Sequence, residues 1–136
     1  MNKSILIIAY LFMTGCSDQS PHSTKIISPT GDQAVTVFHQ SCGAGCNAKD
    51  TIFMNFKRLD GQMVDEKIAD IRGAANIEIA WLSPNKIIIG GCNASSANIK
   101  SDILSSNKSG DSSNIGIMFS RYKIEVPGKV ICRGAR

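Results

Sequence analysis

The chain has 136 residues and a formal charge of +4, with 19% charged and 6% aromatic side chains. That length suits one domain built around one core. The positive charge is scattered without a basic run, and few aromatics are present to stack bases, which argues against a nucleic-acid partner.

Residues 1–4 carry one positive charge, Lys3, and an uncharged apolar run follows from Ile5 to Met13. Nine residues at about 1.5 Å rise span about 14 Å, well short of a bilayer core of about 30 Å. A basic start, a short apolar run and small residues after it have the order of an export signal. The run ends Met13-Thr14-Gly15-Cys16, which resembles the lipobox of bacterial lipoproteins, with Met13 where that family usually has Leu. The resemblance covers residues 1–16 alone. It implies that residues 1–15 are removed, that Cys16 takes a diacylglycerol, and that its new amine is acylated. Several acyl chains at about 0.8 kcal/mol per buried CH₂ anchor a protein durably without crossing the membrane. In Gram-negative members, Asp directly after the Cys favours the inner membrane. Ser17 stands there, with Asp18 one later, so the expected location is the outer membrane, facing the periplasm. A Gram-positive surface is the alternative.

Residues 16–25 then read as the lipidated Cys and a polar, aperiodic tether, with a single β-rich domain over residues 26–136. Loss of Lys3 with the leader takes the charge from +4 to +3. Four cysteines remain in the domain, Cys42, Cys46, Cys92 and Cys132. An even number in an exported chain predicts two disulfides. Three connectivities are possible. The preferred one joins Cys42 to Cys46 around a glycine-rich loop, and Cys92 to Cys132 across two strand ends.

In chain order, residues 34–39 follow a Ser-Pro-Thr-Gly turn and read as a strand. Residues 52–56 are a second strand, ended by the turn pair Asp60-Gly61. A helix is poorly supported anywhere, and the best candidate, residues 64–71, is short and β-branched at both ends. Residues 77–81 alternate, placing Ile77, Ile79 and Trp81 on one face. Ser83-Pro84-Asn85 then turns the chain into residues 86–89, apolar enough to be buried on both faces. The segment 94–113 is rich in Ser and Asn and predicts a long loop, either disordered or partner-binding. Tyr122, Ile124 and Val126 alternate with charged residues as a half-buried strand, and Pro127-Gly128 turns into residues 129–132. The expected fold is all-β, a small antiparallel meander rolled into a barrel or sandwich with a long Ser-rich loop.

Chemistry is sparse. His22 falls in the tether, leaving His39 as the domain's one candidate for a catalytic triad. Neither a Gly-x-Ser-x-Gly elbow nor a paired-carboxylate arrangement accompanies it. No catalytic residue and no cofactor is expected. One constellation, His39, Cys42 and Cys46, offers an imidazole and two thiolates to zinc or copper, but its spacing matches no standard finger and disulfide formation competes. The expectation is a membrane-anchored, non-enzymatic envelope protein that binds a protein or envelope component, of inhibitor, immunity or accessory type. The alternative is a metal-binding envelope protein using His39, Cys42 and Cys46.

Overall fold

The computed structural model describes residues 22–41, 45–106 and 110–135, and these contain strands and turns without a helix. The leader, Cys16 and Cys42 lie outside the described residues. Among the described residues there are eleven strands: β1 (His22–Ile27), β2 (Ala34–Gln40), β3 (Lys49–Lys57), β4 (Met63–Arg72), β5 (Asn76–Ser83), β6 (Lys86–Cys92), β7 (Ser96–Ile99), β8 (Asp102–Ser106), β9 (Ser112–Ser120), β10 (Ile124–Val126) and β11 (Lys129–Ile131). A five-stranded sheet has the order β1-β2-β3-β4-β7, and a four-stranded sheet the order β5-β6-β9-β8. The two pack face to face as a sandwich. Their shared core joins Val35, Ile52, Met54, Phe56 and Ile71 from the first sheet to Ile87, Ile89, Ile103 and Ile115 from the second.

The expected turns form. Ser28 and Gln33 close the β1–β2 hairpin through a backbone bond of 2.9 Å, and Gly31 holds the left-handed conformation that the turn requires (φ +76°). Asp60-Gly61 closes β3 onto β4. Pro127 and Gly128 connect β10 to β11 as a two-residue loop, Val126 facing Lys129. The meander is antiparallel except at one place: β6 pairs with β9 in parallel. Between them the chain crosses to the first sheet, adds β7 at its edge, and returns as β8.

β6 is central in its sheet and buried on both faces, as its unbroken apolar run predicts. Ile87 and Ile89 enter the shared core, whereas Ile88 packs outward against Ile131, Cys132 and the β10–β11 hairpin. The disulfide Cys92–Cys132 ties that hairpin to the end of β6, with Cα atoms 5.1 Å apart. Two consecutive glycines make the layering possible. A Cβ on Gly90 would collide with Ile131, and one on Gly91 would lie 2.8 Å from Phe119 and 3.1 Å from Ile71. Each glycine lets a different layer approach the β6 backbone.

Three sequence expectations need correction, and the weak helix candidate at residues 64–71 lies in β4. A bulge there leaves Ile68 without a register partner on β3, since Ile52 faces Ala69 and Phe53 faces Lys67. That extra residue switches the inward parity from even to odd, so the apolar positions fall at 64, 68 and 71, the spacing of a helix face.

The Ser-rich segment 94–113 is not a loop, since it contains β7, β8 and the start of β9. Ser105 and Ser106 are buried, and Ser105 Oγ donates to the Ser113 carbonyl at 3.2 Å. A satisfied hydroxyl can occupy a core position at little cost, so polar composition concealed the strand. Residues 115–119 also form part of β9, with Ile115 and Ile117 turned into the core.

The remaining two corrections concern element ends. Residues 22–25, expected in the tether, pair in β1 with β2. Tyr122 precedes β10 and is 65% exposed rather than half-buried in a strand.

Candidate functional site

Three surface features result from this architecture. The first is a groove of about 810 Å³ where the β3–β4 turn meets β8. Its floor includes Phe56 and Ile103, which also belong to the shared core. Leu59 and Leu104 line it while remaining 52% and 55% exposed. Both positions follow from strand geometry. Leu59 sits in the turn beyond the end of β3, where no opposite layer covers it. Leu104 has the parity opposite to the buried Ile103 and Ser105 on β8. Exposed apolar side chains grouped beside a concavity and rimmed by polar residues mark a candidate interaction surface.

Four carboxylates surround the apolar floor, Asp60, Asp65, Glu66 and Asp102, against one guanidinium, Arg58. Local bonds fix most of them. Asp60 accepts from the Gln62 amide at 3.0 Å, Asp65 from Asn55 Nδ2 at 3.0 Å, and Asp102 from Asn114 Nδ2 at 3.1 Å. Glu66 pairs with Lys100. The groove runs along β8, an edge strand of the four-stranded sheet.

The second feature is the outer face of the five-stranded sheet. Phe38 and Phe53 meet edge to face there, with ring centroids 5.6 Å apart. They line a shallow depression of about 370 Å³ with Thr36 and Asp65. Beside it, Asp70 receives Lys67 Nζ at 2.7 Å, Thr51 Oγ1 at 3.0 Å and Lys49 Nζ at 3.5 Å. The Lys67 hydrogen bond, then those of Thr51 and the Lys49 charge, hold the Asp70 carboxyl below its ordinary range, and partial burial opposes them.

The third feature is a polar column at the opposite end of the same sheet. His39 on β2 faces Asp50 on β3, and His39 Nδ1 lies 2.6 Å from Asp50 Oδ1. Asp50 is 2% exposed, whereas the His39 side chain is 46% exposed. A buried carboxylate needs such a partner. On β1, His22 faces His39 directly.

The predicted site residues fall as follows. Cys92 and Cys132 are bonded to each other, as preferred. Cys46 is also disulfide-bonded, and its partner lies outside the described residues. A sulfur in a disulfide offers no thiolate, so Cys46 cannot serve the His39, Cys42, Cys46 metal set in this state. Among the described residues, no three His, Cys, Asp or Glu side chains form a group able to hold a metal ion. The groove is not legible as a groove in the sequence, because Leu104 and Asp102 lie in a segment whose polar composition predicts a loop. Its one legible signal is Ile103-Leu104 within that polar stretch. Comparison with protein-family models, curated proteins and solved structures returns no match for the chain.

Proposed function

We propose that this chain is a lipid-anchored protein of the bacterial cell envelope whose β-sandwich binds another protein without catalysis. The partner contributes an extended segment carrying apolar and basic side chains. The observation that carries this reading is the groove beside β8, with Leu59 and Leu104 exposed above an apolar floor and carboxylates around them. Apolar area supplies affinity, and unlike charge selects the partner and speeds encounter. An edge strand beside side-chain pockets is the geometry used for strand addition, in which backbone bonds fix the segment and alternate side chains enter the pockets. The anchor part of the proposal rests on the lipobox-like ending at Cys16 and places the groove in the envelope, most simply at the outer membrane facing the periplasm.

Two experiments test it. A photo-crosslinking residue at position 104, in cells, should capture a discrete partner, whereas the same residue at position 122 should not. Asp65→Lys with Glu66→Lys should abolish the adduct. Equal adducts at both positions, or an adduct unaffected by the charge reversal, would overturn the groove. Separately, Cys16→Ser should remove acyl labelling and release the protein from membranes. A variant that stays labelled and bound would end the anchor reading.

A further inference from the structure

We propose that His22 and His39 form a two-imidazole site for a late first-row divalent cation, Cu²⁺ foremost, with Asp50 as the positioning residue. The chain has two histidines, and the register sets them opposite one another on β1 and β2. Residues directly opposite in an antiparallel pair share a face, with Cβ atoms about 4.5–5.5 Å apart. Two imidazoles at that spacing can converge on one ion, since each metal–nitrogen bond is about 2.0–2.1 Å. Both residues are exposed, so an ion can reach them.

The third member of the column supplies what a ligating imidazole needs. The Asp50 carboxylate, buried and 2.6 Å from His39 Nδ1, accepts a hydrogen bond from the N–H at that nitrogen. The lone pair is thereby left on Nε2, the atom turned away from Asp50. A carboxylate behind a ligating imidazole fixes its tautomer and orientation. With Cys46 held in a disulfide, the donors are imidazole nitrogens completed by water, and the order of divalent affinities then favours copper over zinc. The site lies at the β2 end of the sheet, away from the β3–β4 turn that forms the groove, and does not depend on the binding reading.

The test is titration of the purified full chain with Cu²⁺ alone, followed by calorimetry and electron paramagnetic resonance. The expected result is one equivalent bound with two imidazole nitrogens coupled to the copper. His22→Ala should lower affinity at least tenfold and leave circular dichroism unchanged, and His39→Gln, whose amide can still donate to the buried Asp50 carboxylate, should do the same. Unaltered binding by either variant, or a signal from a single imidazole, would overturn the site. Because Asp50→Asn removes a buried charge and could unfold the sheet, the positioning role is tested in the parent chain. Nitrogen-15 spectra of the metal-free protein should show His39 protonated at Nδ1, and the Nε2-protonated tautomer would overturn that role.

Discussion

The two sheets of the sandwich are protected in different ways. The four-stranded sheet is covered on both faces: the shared core fills one, and the β10–β11 hairpin, pinned by Cys92–Cys132, covers much of the other. The five-stranded sheet is covered on one face and meets solvent with Phe38, Phe53 and the Asp70 charge network on the other. Stability and recognition therefore reside in different layers. Substitutions in the doubly covered layer disturb tight packing and should be costly, because interiors are close-packed. Changes on the open face should alter what the surface can bind while leaving the fold standing.

The largest expected effect comes from removing residues 94–113. That deletion takes away β7, β8 and part of β9, so circular dichroism should show loss of the folded state. Retention of a native spectrum would mean that the segment is dispensable and that the strand assignment is mistaken. Next is the Cys92→Ala, Cys132→Ala pair, which frees a loop with a sequence separation of 40. Chemical denaturation should report a loss of roughly 2–5 kcal/mol. Gly91→Val follows, since its side chain would press on Phe119 and Ile71. Overpacking of this kind costs about 1–3 kcal/mol, and a neutral result would show that the layers can separate without penalty.

The smallest effect belongs to the open face. Asp70→Asn should cost less than about 1 kcal/mol at neutral pH, as expected for a partly exposed ion pair. Its pH dependence has a defined sign. The folded carboxyl titrates below its ordinary range, so its contribution is present above the unfolded value of about 3.9 and is lost as pH falls through the lower folded value. The stability gap between parent and variant should therefore shrink below about pH 4. A gap that widens in acid would contradict the network.

The same contrast explains what the sequence disclosed. Strands whose apolar residues alternate cleanly or run unbroken, such as 77–81 and 86–89, were legible because burial on one face or two leaves a direct pattern. The disulfide between Cys92 and Cys132 was also legible as the preferred pairing. The bulge at Ile68 hid β4 by shifting its parity, and the buried, hydrogen-bonded serines hid β8. The candidate groove leaves only Ile103-Leu104 as a signal for the same reason, since it is assembled from a turn and from a strand set in a polar stretch. His22 reads as part of a tether because polar residues on an edge strand resemble a linker. Only its register opposite His39 reveals a relation to Asp50.

The claim on which most of this depends is that the Ser-rich segment is β-structure and forms one wall of the groove. Native-state hydrogen exchange over residues 96–106 tests it most directly. Amides of β7 that bond to β4, and those of β8 that bond to β9, should be protected nearly as well as the core strands, with fast exchange limited to outward-facing edge amides. Exchange throughout the segment at the rate of an unstructured chain would contradict the account.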